Sequence, residues 1–138
     1  MNTIQIQDKN QNFDILIKPM KFTEKLGLVS FIVGLVSRKD IELGGVIENI
    51  MLIKNNPESS VQNADALQLL LSVVTALLGN SSEQEKLELY SRLIKNCTHD
   101  NGIIKTDIDM NWCDTNLTSL KSGFALATAC VKFHFDFL

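Results

Sequence analysis

Two short runs near the start of the chain alternate apolar and polar residues. The first is TIQIQ at 3–7, the second is FDILIK at 13–18, and the polar loop DKNQN lies between them. A period of two is typical of strands with one buried face, so the pattern predicts a β-hairpin within residues 1–19. Pro19 ends the second strand because it has no N–H to donate. An isolated hairpin is barely stable in water, so we expect it to pack on helices or to pair with another chain.

Beyond Pro19 the apolar residues recur with the period of a helix. Thr23 is predicted to cap a first helix, and Phe22 to pack against its first turn as a hydrophobic staple. Asp40 is predicted to cap a second helix, which stops before Pro57. The inner positions are Leu26, Val29, Ile32, Val33 and Val36 in the first helix, and Leu43, Val46, Ile47, Ile50 and Met51 in the second. Close packing of a neighbouring helix is expected at two glycines of the first helix, Gly27 and Gly34.

A third helix is predicted from about Val61 to Leu78. It is apolar around most of its circumference, which is typical of a buried central helix, with an oligomer interface as the alternative. Gly79 and Asn80 are expected to close it in the left-handed conformation. Ser82 and Glu85 then form a capping box for a fourth helix. The inner stripe of that helix consists of Leu87, Tyr90, Leu93, Ile94 and Cys97.

The remaining chain combines an irregular segment with a last helix. Asp100-Asn101-Gly102 is a turn signal, and residues 103–110 alternate weakly, which predicts a short strand or an extended segment. Trp112 is expected to cover the core. The last helix is predicted to start near Asp114 or Asn116, with an inner face of Leu117, Leu120, Phe124, Ala127 and Val131.

The C-terminal hexapeptide FHFDFL is unusually aromatic. Its side chains are expected either to plug the end of the helical core or to dock into a partner or a second copy of the chain. The candidate partner-binding residues are Phe133, Phe135, Phe137, Leu138 and Trp112.

The elements together predict a mainly α domain of the α+β class. We expect a five-helix, bundle-like body at 22–137 and a small N-terminal β-hairpin at 1–19, all within a single domain, 1–138. No linker, repeat or low-complexity segment divides the 138 residues.

Composition excludes several classes of function. The formal net charge is −3 and the 13 basic residues are scattered, whereas nucleic-acid binding usually needs a basic face. The N-terminus lacks the charged and apolar regions of a signal peptide, and no apolar stretch reaches the roughly 20 residues of a membrane span. Three cysteines without a close pair favour reduced, buried thiols over a disulfide framework or a zinc site.

Catalytic and ligand-binding signals are weak. Cys97 or Cys130 with His99 or His134 would be needed for a thiol enzyme, but no third, orienting residue can be named. Asp107 and Asp109 share a strand face, but nothing fixes further ligands for a cation such as calcium, so we expect a solvated face. Phosphate-cradling and dinucleotide motifs are absent from the sequence. The sequence therefore predicts a non-enzymatic protein without cofactor or metal.

The layout as a whole resembles the tail assembly chaperones of long-tailed bacteriophages. The resemblance lies in the entry FDILIKPMKFTEKLGL, a string of short helices, the turn HDNGIIKTDIDMNW before a last helix, and the aromatic end VKFHFDFL. It covers nearly the full chain.

This resemblance implies a role in the host cytoplasm as a coat for the tape measure protein. Such chaperones keep that long, aggregation-prone protein soluble until tube subunits polymerise around it. The family has no catalytic residues, and a homo-oligomer is an expected form. The alternative is a small phage or bacterial adaptor or inhibitor that binds a host protein.

Overall fold

The computed structural model describes residues 2–38 and 60–135. Their strands are β1 (Asn2–Asp8), β2 (Gln11–Ile17), β3 (Cys97–Asp100) and β4 (Lys105–Asp107). Their helices are α1 (Phe22–Arg38), α2 (Ser60–Asn80), α3 (Glu83–Ile94), α4 (Met110–Asn116) and α5 (Leu120–His134). The predicted α+β class is confirmed, while the bundle-like arrangement of the helices stays a prediction. The predicted helix that starts at Asp40 lies outside the described residues.

The N-terminal hairpin is confirmed, but it is not solitary. β1 and β2 pair antiparallel from Asn2↔Ile17 to Asp8↔Gln11, and Lys9 takes a positive φ of 55° in the turn. β2 also pairs antiparallel with β3, and β3 with β4, so the sheet order is β1-β2-β3-β4. The hairpin therefore gains the third and fourth strands from the segment between α3 and α4, which supplies the stability that an isolated hairpin lacks.

The segment between α3 and α4 follows the turn prediction. Asp100 Oδ1 accepts a hydrogen bond from Gly102 N at 2.9 Å, and Gly102 has a φ of 91°. Asn101 Oδ1 accepts from the backbone N–H groups of Ile103 and Ile104. The side chains of Asp100 and Asn101 thus build the turn that joins β3 to β4, and glycine is needed at 102 because of the positive φ.

The start of α1 differs from the prediction. The helix begins at Phe22, one residue before the predicted cap Thr23, and Lys21 N donates to Glu24 Oε1 at 3.0 Å. The predicted staple is wrong because the Phe22 side chain is 78% exposed. The predicted inner face is correct at Ile32 and Val36 and wrong at Leu26 and Val33, which are exposed. The buried residues of α1 are Leu28, Ile32, Leu35 and Val36.

The two glycines of α1 have different surroundings. A Cβ at Gly27 would lie 3.1 Å from Arg92 Nη1, so the guanidinium of α3 approaches the backbone there. A Cβ at Gly34 would have no described atom within 4 Å. Among the described residues, close packing is therefore seen at Gly27 and not at Gly34.

The long apolar helix α2 lies among three other helices, in contact with α1, α3 and α5. It buries Leu70, Val73, Val74 and Leu77, whereas Ser72 and Thr75 are exposed. The helix is thus buried along one side rather than nearly all round. Gly79 is not left-handed, and Asn80 is the last residue of α2, so the predicted left-handed closure is wrong.

The capping box of α3 is confirmed. Glu85 N donates to Ser82 Oγ at 3.2 Å, and Ser82 N donates to Glu85 Oε1 at 2.9 Å. The predicted inner stripe is correct at Leu93 and Ile94, which are buried, and wrong at Leu87, which is 45% exposed. Leu89, which was not in the predicted stripe, is buried.

The single predicted last helix is two helices. Asp109 caps α4 by accepting from Trp112 N at 2.8 Å, and Ser119 caps α5 by accepting from Ser122 N at 3.2 Å. The predicted inner face of α5 is correct at Ala127 and Val131 and wrong at Leu120 and Phe124, which are 81% and 42% exposed.

One hydrophobic core joins sheet and helices. Its members without exposed surface come from β2, α1, α2, α3 and α5: Ile15, Ile17, Leu28, Leu35, Val73, Leu77, Leu89, Leu93, Leu126, Cys130 and Val131. The inward-facing residues of β2 alternate, as the period of the sequence predicts.

Candidate protein-binding groove

Helices α3 and α5 are joined by a tyrosine. Tyr90 Oη donates to the backbone oxygen of Gly123 at 2.8 Å. Burial raises the pKa of Tyr90, so the phenol stays protonated and remains a donor. Gly123 lies in the first turns of α5, and a Cβ there would be 3.7 Å from Tyr90 Oη. This bond links the two helices directly.

A buried carboxylate fixes the start of α5. Asp8, at the end of β1, is 5% exposed. Its Oδ2 accepts from Thr118 N at 3.0 Å and from Thr118 Oγ1 at 2.8 Å. Its Oδ1 accepts from Ser119 N at 3.1 Å and from Ser122 Oγ at 2.6 Å. We call Asp8, Thr118, Ser119 and Ser122 the Asp8 cluster.

The Asp8 cluster holds a negative charge at the N-terminus of a helix. The Ser122 hydroxyl first, and then Thr118, lower the pKa of Asp8 far below its ordinary value of 3.8. The helix dipole and the free N–H groups of the first turn favour the same charge. The cluster therefore ties the hairpin to α5 and determines where the first residues of α5 point.

An apolar groove lies beside these two connections. It has a volume of about 470 Å³. We call it the α3–α5 groove, and its lining comprises Leu78, Lys86, Leu87, Tyr90, Met110, Cys113, Asp114, Leu117, Thr118, Ser119, Leu120, Gly123 and Phe124. Elements from α2 to α5 thus contribute to one surface.

Three side chains of the α3–α5 groove are both large and exposed. Leu87 is 45% exposed, Phe124 42% and Leu120 81%. Large apolar side chains that gather around one concave surface are typical of a protein-interaction site. The charged residues among the described lining are Lys86 and Asp114. The arrangement suits an apolar ridge, such as one face of an amphipathic helix, with a charged group of either sign beside it.

The predicted partner-binding residues do not meet in this groove. Trp112 is only 8% exposed and packs edge-on against Phe13, with ring centroids 5.2 Å apart. This placement fits the prediction that Trp112 covers the core.

The aromatic tail is described only in part. Phe133 and Phe135 are half-buried and pack against the core. Phe137 and Leu138 lie outside the described residues. A binding role for these four residues stays a prediction.

The three cysteines are buried and free. Cys97 Sγ lies 3.4 Å from Cys130 Sγ, and this hydrogen bond lowers the pKa of the Cys97 thiol and raises that of Cys130. Burial raises the pKa of Cys113 to about 11. Buried thiols of this kind are typical of inert, structural cysteines.

The two histidines occupy apolar surroundings. His134 is 4% exposed, and burial lowers its pKa, which favours the neutral imidazole. His99 packs against Phe13 and Trp112, with ring centroids 5.3 Å away in each case. His99 thus lies at the margin of the core and His134 lies within it.

The two aspartates that could ligate a cation are either hydrogen-bonded to the backbone or exposed. Asp109 caps α4, and Asp107 is exposed on β4. Among residues 2–38 and 60–135, no group of three or more candidate ligands could hold a metal ion. Within the same part of the chain, no helix is long and apolar enough to cross a membrane.

Comparisons with known proteins found no relative of this chain. Neither a family model, nor a curated protein, nor a solved structure matches the chain.

Sequence reasoning missed the groove because it placed Leu87, Leu120 and Phe124 on inner faces. The available signal was an excess of apolar residues. Helices α3 and α5 each carry more apolar residues than one buried stripe needs. In α5, Leu120 directly follows the capping residue Ser119.

Proposed function

We propose that the protein is a non-enzymatic tail assembly chaperone that binds the tape measure protein and keeps it soluble while the tail tube assembles. The observation that carries the proposal is the α3–α5 groove with its three exposed apolar side chains. A long helical client offers a repeated series of apolar ridges, each spaced at three and four residues. The groove receives one such ridge at a time.

The construction of the groove supports binding rather than chemistry. Its walls are held by the Tyr90 hydrogen bond and by the Asp8 cluster, so the apolar rim is ordered before a client arrives. A preformed site loses less conformational entropy on binding than one that must first be arranged. The resemblance to tail assembly chaperones supplies the identity of the client, and the host cytoplasm is the proposed location.

Co-expression with the tape measure protein tests this function. We expect the tape measure protein to accumulate in the soluble fraction with the wild-type chain and to precipitate without it. Leu120→Asp puts a charge at the most exposed apolar position of the groove, and we expect it to abolish this protection. The matched control is Ile103→Asp, which changes an apolar side chain that is 90% exposed on the β3–β4 turn, outside the groove lining.

The possible results test the chaperone function and the groove as its binding site separately. A tape measure protein that is equally soluble without the chain contradicts the chaperone function. Protection that survives Leu120→Asp as well as Ile103→Asp contradicts the groove as its site. An adaptor or inhibitor of a host protein would leave the solubility of the tape measure protein unchanged in every case.

A further inference from the structure

The two edges of the sheet differ in how they are protected against other strands. β4 is short, and its three residues are Lys105, Thr106 and Asp107, so one edge is brief and charged. Among the strands of the described residues, β1 forms the other edge and is seven residues long. Natural sheets usually guard a long edge with charge, proline or a bulge, because its free backbone groups can pair with another chain.

The β1 edge carries none of these guards between Thr3 and Gln7. The residues are Thr, Ile, Gln, Ile and Gln, and β1 pairs with β2 in continuous register without a bulge. Asp8 ends the strand, but its carboxylate is hydrogen-bonded within the Asp8 cluster and does not protect the edge. The side chains of Thr3, Gln5 and Gln7 are exposed.

The hairpin geometry determines which backbone groups face outward. The turn has two residues, Lys9 and Asn10, so Asp8 and Gln11 are the pair that closes the hairpin. A closing pair of this kind exchanges both of its hydrogen bonds, and bonded and non-bonded positions then alternate along the strand. The N–H and C=O groups of Thr3, Gln5 and Gln7 therefore point away from β2. No described residue outside the sheet makes a backbone hydrogen bond with these three.

The outward positions are complementary to themselves. When β1 runs antiparallel to a second copy about a twofold axis at Gln5, Gln5 meets its own equivalent and Thr3 meets Gln7. All three outward positions then lie opposite outward positions. The same register places Ile4 opposite Ile6, so the apolar face of one sheet continues into the apolar face of the other. Ile4 is half-buried in the single chain, and this pairing would cover it further.

We propose that the protein forms a twofold-symmetric dimer through antiparallel pairing of β1 with β1 of a second copy, centred on Gln5. The two four-stranded sheets become one continuous sheet of β4-β3-β2-β1 in each copy. This surface is separate from the α3–α5 groove, so each dimer presents two grooves. The inference does not depend on the identity of the client.

Charge at the twofold axis tests the dimer. Gln5→Lys places two ammonium groups side by side across the axis, where like charges oppose pairing. The monomer tolerates the change because Gln5 is exposed and its side chain already reaches Asp14, with Nε2 3.1 Å from Oδ1. The matched control is Asn12→Lys, which adds the same charge on the same sheet face but one strand away from the edge, opposite Gln7.

Light scattering after size exclusion, over a range of concentrations, gives the mass of each variant. We expect dimers for the wild type and Asn12→Lys, and monomers with an unchanged circular dichroism spectrum for Gln5→Lys. A wild type that stays monomeric at every concentration overturns the proposal. Equal masses for the two lysine variants also overturn it.

A cysteine at the axis gives a second test that does not depend on weakening the pair. A hydrogen-bonded antiparallel pair has a Cα–Cα distance of about 5.5 Å, which is within the range that a disulfide bridges. We expect Gln5→Cys to form a covalent dimer when glutathione disulfide is added, and Asn12→Cys to remain uncrosslinked. A covalent dimer with Asn12→Cys and none with Gln5→Cys contradicts the proposed register.

Discussion

At the scale of single residues, the most consequential one is Asp8. The sequence places it at the start of the polar loop DKNQN, where it resembles an ordinary turn residue. The structure gives it four hydrogen bonds to residues 110 to 114 positions away. Local patterning contains no information on such a distant partner, so the cluster could not be predicted from the sequence.

Acid and mutation should both weaken the Asp8 cluster. The hydrogen bonds of Ser122 and Thr118 lower the pKa of Asp8 below its ordinary value of 3.8, so the folded state favours the ionised form. The resulting stability is complete above that value and is lost as the pH falls through it towards the folded pKa. We expect Asp8→Asn to lower the melting temperature by several degrees at neutral pH.

The difference in melting temperature between the wild type and Asp8→Asn should shrink from about pH 5 to about pH 2. Asp107→Asn, on an exposed strand, is the control and should have almost no effect. An Asp8→Asn difference that stays constant over this range would show that the charge of Asp8 does not stabilise the fold.

Replacing either of two glycines with alanine should change the free energy of unfolding, in opposite directions. Gly34→Ala should stabilise the protein by about 1 kcal/mol, because a helical glycine is unfavourable and no described atom would contact the new Cβ. Gly102→Ala should destabilise it, because Gly102 has a φ of 91°. Urea denaturation measures both changes. A loss of stability in Gly34→Ala would mean that its Cβ meets an obstacle.

At the scale of secondary-structure elements, helix faces were harder to predict than helices. The period of the sequence located α1, α2 and α3 to within a few residues, and it predicted a single last helix where the structure has α4 and α5. It identified only part of each buried face, because each helix carries more apolar positions than one buried stripe needs. β3 was missed because the segment CTHD has a single apolar residue and becomes a strand only through pairing with β2.

The rotation of α3 gives a direct comparison of two leucines. Leu89 has no exposed surface, whereas Leu87 is 45% exposed at the groove. Leu89→Ala should lower the free energy of unfolding by about 2–5 kcal/mol, because it leaves a cavity in the core. Leu87→Ala should lower it by less than about 1 kcal/mol. Chemical denaturation distinguishes the two, and equal losses would contradict the orientation of the helix.

At the scale of the whole molecule, hydrogen bonds connect the N-terminal hairpin to the last helix. The Asp8 cluster joins β1 to the start of α5, and the Tyr90 hydrogen bond joins α3 to Gly123 in the following turn of α5. These contacts hold the start of α5 in place, while Leu120 and Phe124 lie at the surface. The sequence predicted a protein-binding surface at the aromatic tail and Trp112, whereas the structure has its apolar groove at the opposite end of α5.

The central claim is that a helical client binds in the α3–α5 groove. Site-specific photo-crosslinking tests it most directly, with a photoreactive amino acid in place of Leu120, or of Ile103 as the exposed control, in cells that also express the tape measure protein. We expect a covalent adduct with the tape measure protein from position 120 and little or none from position 103. An adduct from position 103 alone, or none from position 120 while the client stays soluble, would contradict the account.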